Sequence, residues 1–184
     1  RVLPVMARNG MVVSQEARAS RIGLDILRRG GNAVDAAIAT GFALAVTLPR
    51  AGNIGGGGFM LVHMAASRTT IAIDYRETAP ADTPRDIFLD EAGNFVPSRS
   101  QSSGLAVGVP GTVAGFALAH RKYGSGKFTL AELVAPAIPL ARDGIDVDED
   151  LADSLPFIAQ RLARYASSRA IFLKGEAQPL AHGD

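Results

Sequence analysis

The sequence predicts an α+β fold, and three observations carry that reading. An amphipathic helical pattern and an almost wholly apolar one follow each other near the N-terminus. Two β-rich runs separated by a short polar turn come next. Helical patterns then dominate the rest of the chain.

The first element follows Ser14. Ala19, Ile22, Ile26 and Leu27 share one helical face, while Glu16, Arg18, Arg21, Asp25 and Arg28 face elsewhere. Gly30-Gly31 stops this helix, because glycine takes the left-handed cap conformation at little cost. Asn32 then caps a second helix, from about Ala33 to Val46, and Asp35 in its first turn complements the dipole. Val34, Ala36, Ala37, Ile38, Ala39, Phe42, Ala43, Leu44, Ala45 and Val46 surround it almost completely. A helix apolar on nearly every side is buried. Pro49 ends it.

Asn53 to Gly58 is a glycine-rich loop, followed by Phe59-Met60-Leu61-Val62-His63 and a second β-rich run from Thr69 to Tyr75. With Ser67-Arg68 as the turn, the two runs form a hairpin whose second strand delivers Arg76 at its end. Glu77 to Gln101 reads as loop, broken by Pro80, Pro84, Gly93-Asn94 and Pro97. Val113, Phe116, Ala117 and His120 mark a helix between Pro110-Gly111 and Gly124. Thr129-Leu130-Ala131-Glu132 is a capping box, and Pro136 and Pro139 interrupt the helical pattern after it. Leu151, Leu155, Ile158 and Leu162 form a further stripe, acidic at its start and basic at its end, with a kink expected at Pro156. Ala181-His182-Gly183-Asp184, after a final hairpin, has neither cap nor tail composition, so the sequence is expected to continue. The strands are too few to cover the apolar helix, which predicts a chain stable only with more protein around it. No domain boundary is expected within 1–184.

Composition narrows the chemistry. Lys plus Arg is 19 and Asp plus Glu 18, a formal net charge of +1, which gives no electrostatic reason to expect nucleic acid as a partner. The chain has no cysteine, which removes disulfides, thiolate catalysis and cysteine-ligated zinc. His63, His120 and His182 have no second histidine at ligand spacing, so no metal is expected. The uncharged run from Ala36 to Pro49 is shorter than the ~20 residues a bilayer crossing needs, and no membrane partner is expected.

Gly55 to Gly58 invite a phosphate-loop reading that fails in detail. Phe59-Met60 stands where a Lys-Ser or Lys-Thr is needed, and a strand comes next instead of a helix. The other reading is a loop whose backbone packs tightly or takes positive φ. Asp146, Asp148, Glu149, Asp150 and Asp153 lack the alternation and central glycine of a calcium loop, and read as helix-start charge. No Gly-x-Ser-x-Gly occurs, and Arg1 is not the Ser, Thr or Cys that opens an N-terminal-nucleophile enzyme. Asp74-Tyr75-Arg76-Glu77 admits two readings. One is a solvated face in which Arg76 pairs with Glu77 or Asp74; the other is an arginine placed to hold a carboxylate through two parallel hydrogen bonds.

Five segments together resemble the γ-glutamyltransferase (γ-glutamyltranspeptidase) family. They are Gly30-Gly31-Asn32-Ala33-Val34-Asp35-Ala36-Ala37, Ala51 to Met60, Asp74-Tyr75-Arg76-Glu77-Thr78-Ala79-Pro80, Pro110-Gly111-Thr112-Val113-Ala114-Gly115-Phe116 and Ala141-Arg142-Asp143-Gly144. The resemblance runs from about Met11 to Asp184. It implies an N-terminal-nucleophile hydrolase with an α-β-β-α sandwich, of which this chain would be the N-terminal part of the large subunit, completed by sequence beyond it. It further implies a precursor that cleaves itself before a threonine, giving a small subunit as partner. That threonine attacks a γ-glutamyl amide such as glutathione, and the γ-glutamyl group passes to water or to an amine. Neither metal nor organic cofactor is implied, and the implied location is periplasmic or secreted. Arg76 matches the family arginine that binds the donor's α-carboxylate, while the nucleophile and oxyanion groups would lie beyond Asp184. Sibling acylases that hydrolyse glutaryl side chains of β-lactam precursors resemble these segments too, and a non-catalytic binding module built on the glycine loop is the remaining alternative.

Overall fold

A computed structural model describes residues 4–184, so Arg1 lies outside the described residues. Two helices open the fold: α1 (Ala17–Arg28) and α2 (Ala33–Thr47). Glu16, placed on the polar side by its spacing, is in fact buried, because its carboxylate turns back to accept the Arg18 and Ala19 N–H groups, each at 2.9 Å. Asn32 and Asp35 form a complete capping box at the start of α2. The helices approach most closely at Gly23, where a Cβ would stand 2.2 Å from Thr40 Oγ1 and 3.2 Å from the Ala36 carbonyl.

Helix α2 contributes more to the core than any other element: Val34, Ala36, Ile38, Ala39 and Phe42 are buried with Ile26, Phe116 and Leu133. It is not enclosed on every side, however. Ala37 is exposed, as is Ala33 one turn earlier, and Leu44, Ala45 and Val46 are half-buried. The all-apolar pattern reports a surface that needs covering, and this chain covers only part of it.

Strand β1 (Phe59–Met64) pairs antiparallel with β2 (Thr69–Asp74), from Phe59 opposite Asp74 to Met64 opposite Thr69. Arg68 takes φ 54° in the turn between them. Val62 and Ile73 point into the core, while Phe59 and Leu61 are exposed. The stretch after Arg76 is mainly loop, but Pro97 begins the short helix α3 (Pro97–Gln101) instead of breaking one. Proline's missing N–H costs nothing at a first helical turn.

Helix α4 (Thr112–Tyr123) turns Thr112, Gly115, Phe116 and Ala119 inward, while Val113, one of the residues that marks it in sequence, is exposed. The inner face contains a glycine, which carries no hydrophobic signal. The capping box opens α5 (Leu130–Val134), and Pro136 separates it from α6 (Ala137–Asp143). Pro139 interrupts nothing, since it lies in the first turn of α6. Asp148 caps α7 (Glu149–Leu162), which continues through Pro156 and buries Leu155 and Ala159. Ile158, expected on that stripe, is exposed. Helix α8 (Ala166–Phe172) leads to the final hairpin, β3 (Leu173–Lys174) with β4 (Gln178–Pro179). The architecture is mixed α+β. No described helix is long and apolar enough to cross a membrane.

Candidate substrate-binding site at the hairpin exit

Arg76 stands where β2 leaves its partner. The Tyr75 N–H still donates to the Gly58 carbonyl at 3.0 Å, the last rung of the hairpin ladder. The Arg76 N–H then donates to Asp74 Oδ1 at 2.9 Å, fixing the turn of the chain. Its side chain is 66% exposed, and the guanidinium meets Glu77 through one contact, Nε to Oε2 at 3.3 Å. No hydrogen bond from Nη1 or Nη2 is made among the described residues. The ion pair foreseen as one reading therefore exists, but it is exposed, single and long, a kind worth little in water. It leaves the outward edge of the planar fork free.

The backbone that carries Arg76 is held much more firmly than its side chain. Glycines from two segments close on the Tyr75-Arg76-Glu77 peptide. A Cβ at Gly57 would stand 2.6 Å from the Tyr75 carbonyl and 2.7 Å from the Glu77 amide nitrogen. At Gly111 it would stand 2.0 Å from the Tyr75 carbonyl, and at Gly115 2.3 Å from the Tyr75 ring. The glycine loop is thus a close-approach device at Gly56, Gly57 and Gly58, none of which takes positive φ, while Gly55 touches nothing. Of tight packing and positive φ, Gly56 to Gly58 show the first.

A network joins the two glycine segments. Asn53 Oδ1 accepts the Gly56 N–H at 3.0 Å and the Thr112 hydroxyl at 2.6 Å. The Gly56 carbonyl accepts the N–H groups of Gly111 at 2.8 Å and Thr112 at 3.0 Å. Below, the Tyr75 ring meets Phe116 edge-on at 5.8 Å, and Phe116 meets Phe42 of α2 at 5.2 Å. Burial pushes the Tyr75 phenol up, so it stays protonated and donates to the Phe59 carbonyl at 3.3 Å. The Glu77 carboxyl is held below its ordinary value by its own backbone N–H, with Arg76 and the Gly57 N–H adding to this.

The other sequence candidates have local roles. His120 Nε2 lies 2.7 Å from the Phe128 carbonyl, and His63 Nδ1 3.0 Å from Thr70 Oγ1. In the acidic cluster, Asp148 caps α7, Asp150 pairs with Arg50 at 2.8 Å and Asp146 with Arg18 at 3.4 Å. The spacing of Gly111 and Gly115, one helical turn apart, was the available signal for the cradle, but nothing in the sequence says what they face.

The family model described as Gamma-glutamyltranspeptidase matches residues 19–184. The chain is 54% identical over 182 residues to the glutathione hydrolase proenzyme of Escherichia coli (strain K12), covering 98% of this chain and 31% of that protein. Its fold superposes on the crystal structure of Helicobacter pylori gamma-glutamyltranspeptidase with a TM-score of 0.92 at 43% identity, covering 98% of this chain and 51% of that one. A cephalosporin acylase from Bacillus halodurans is more distant, with a TM-score of 0.78 at 27% identity over 98% of this chain and 35% of that one. The chain therefore spans about a third of its curated E. coli relative. On the match across nearly its whole length, it belongs to the gamma-glutamyltranspeptidase family.

Proposed function

We propose that this chain is the N-terminal part of the large subunit of an enzyme that cleaves γ-glutamyl amides such as glutathione, with Arg76 holding the donor's α-carboxylate. The observation that carries this is an arginine whose flanking backbone is packed tightly against Gly57 and Gly111 while its guanidinium makes only one exposed contact. A planar fork presented this way suits a carboxylate, which it can meet with two charge-assisted hydrogen bonds. The threonine nucleophile, its α-amino base and the oxyanion donors belong to the remainder of the precursor. The γ-glutamyl group passes from that threonine to water or to an amine. Identity of 54% to a glutathione hydrolase proenzyme, against 27% to the acylase, favours a γ-glutamyl over a glutaryl donor.

The same reading assigns the uncovered side of α2. Grooves of about 260 Å³ and 480 Å³ flank Ala33 and Ala37, one bounded by β1 and the other by Met11 to Gln15. In the reading, further strands of the precursor fill them and complete the α-β-β-α sandwich, with residues 1–184 belonging to a single domain. The small subunit is the partner, and the location is periplasmic or secreted, as the family resemblance implies.

The test is Arg76→Ala in the complete, self-processed enzyme. An unpaired bound carboxylate costs about 2–5 kcal/mol in kcat/KM, chiefly through KM, while folding and self-cleavage survive. Arg76→Lys recovers part of this, because an ammonium cannot reproduce the fork. An unaltered KM in folded, processed Arg76→Ala enzyme overturns the assignment.

A further inference from the structure

We infer that Thr112, through Asn53, is a positioning residue for Arg76: the hydrogen bond between them locks the two glycine segments around the peptide that carries the arginine. This rests on the role proposed for Arg76 and adds residues that do not touch substrate.

The geometry makes the link short. Asn53 Oδ1 is shared by the Gly56 N–H and the Thr112 hydroxyl, so one side-chain atom ties the loop to the first residue of α4. Thr112 is 3% exposed, and a hydroxyl buried there is costly unless bonded. The two segments so tied are those whose glycines press on this peptide, Gly57 on the Tyr75 carbonyl and Glu77 amide and Gly111 on the Tyr75 and Arg76 carbonyls. At such distances neither side has slack. A shift of α4 away from the loop opens the gap at the Tyr75 carbonyl, and the Arg76 Cα moves with it.

A bidentate contact is sensitive to that motion, since a carboxylate must meet two nitrogens at once. The backbone bonds from Gly111 and Thr112 to the Gly56 carbonyl keep the segments together without the side chains. What the Asn53–Thr112 bond adds is angular: it fixes how the loop is rotated against the start of α4. Its loss should misaim Arg76 while leaving the fold intact.

The complete, processed enzyme tests this with Thr112→Val, which keeps the shape and removes the hydroxyl, and Thr112→Ser, which restores it. For a γ-glutamyl anilide, Thr112→Val should raise KM about five- to tenfold with kcat within about twofold, and Thr112→Ser should stay within about twofold of wild type. The decisive arm repeats Thr112→Val in the Arg76→Ala background, where it should raise KM no further, because a residue acting through Arg76 has nothing left to aim. If Thr112→Val does not fold, Asn53→Ala at a half-buried loop position replaces it, with the same outcomes expected. An unchanged KM in the single variant overturns the inference, and so does an equal rise with and without Arg76. Should Arg76→Ala itself leave KM unaltered, it is the assignment of Arg76 that fails.

Discussion

Asp35 at the start of α2 and Arg76 at the exit of β2 are both charged residues at ends of secondary structure, yet the fold treats them oppositely. Asp35 is 0% exposed, and its carboxylate is occupied by the Asn32 N–H at 3.0 Å and the Ser125 N–H at 3.2 Å. Asn32 in turn donates through Nδ2 to the Tyr123 carbonyl at 2.7 Å, so the end of α4 is bolted to the start of α2. At Arg76 the backbone is fixed just as firmly, but the guanidinium is left mostly in water. A buried carboxylate with both oxygens accepting backbone N–H groups is architecture. A guanidinium on a rigid base, held by one exposed contact, is free to take up a ligand.

Phe116 joins the two regions, and replacing it should give the largest effect. It is buried, and touches Phe42 on the α2 side and Tyr75 on the Arg76 side. Phe116→Ala should destabilise the folded enzyme by about 3–5 kcal/mol, the usual cost of a large cavity in a core. It should also raise KM for a γ-glutamyl donor, because Tyr75 loses the surface it rests on. Denaturant unfolding and steady-state kinetics on one preparation check both. A stability loss with no change in KM would separate the regions that Phe116 is argued to connect.

Asp35→Ala comes next, and should act on one side of the comparison alone. It strands the Asn32 and Ser125 N–H groups and removes half of the capping box, costing about 2–3 kcal/mol of stability. KM of the folded fraction should stay at the wild-type value. A raised KM without lost stability would show that Asp35 serves the site after all.

How much of this could be read from the sequence obeys the same division. Asn32 as the cap of α2, both long hairpin strands and the Thr129–Glu132 box were legible because local chemistry decides them within a few residues, whereas Asp35, read as dipole charge alone, also closes the box. Arg76 was legible as the residue at the hairpin exit. The partners that clamp it were not, because a glycine's role depends on what approaches it. Gly111 and Tyr75 are distant in sequence, and no periodicity connects them. The inner face of α4 was hidden for the same reason, since it includes Gly115, which meets Tyr75, while Val113 faces out. Pro97 and Pro139 were misread for a different reason, their position within a helical turn, which composition does not report.

Glu16 gives the smallest effect and tests whether a helix-end carboxylate whose N–H partners are all local behaves as architecture too. Burial pushes its pKa up, but the Arg18 and Ala19 N–H groups, then the Thr47 side chain and the Arg18 guanidinium, outweigh this and hold it below the ordinary 4.5. A carboxyl depressed in the folded state contributes stability that is fully present above its unfolded value, and loses it as pH falls through the folded one. Glu16→Gln keeps one acceptor oxygen and should cost about 1 kcal/mol near neutral pH, the scale of a helix cap. That difference should hold constant down to about pH 5, then shrink as wild-type Glu16 takes up its proton. Urea unfolding of both proteins across that range reads it directly. If the difference is as large well below the folded pKa as at neutral pH, the cost is one of packing, and the charge at the start of α1 is not what stabilises it.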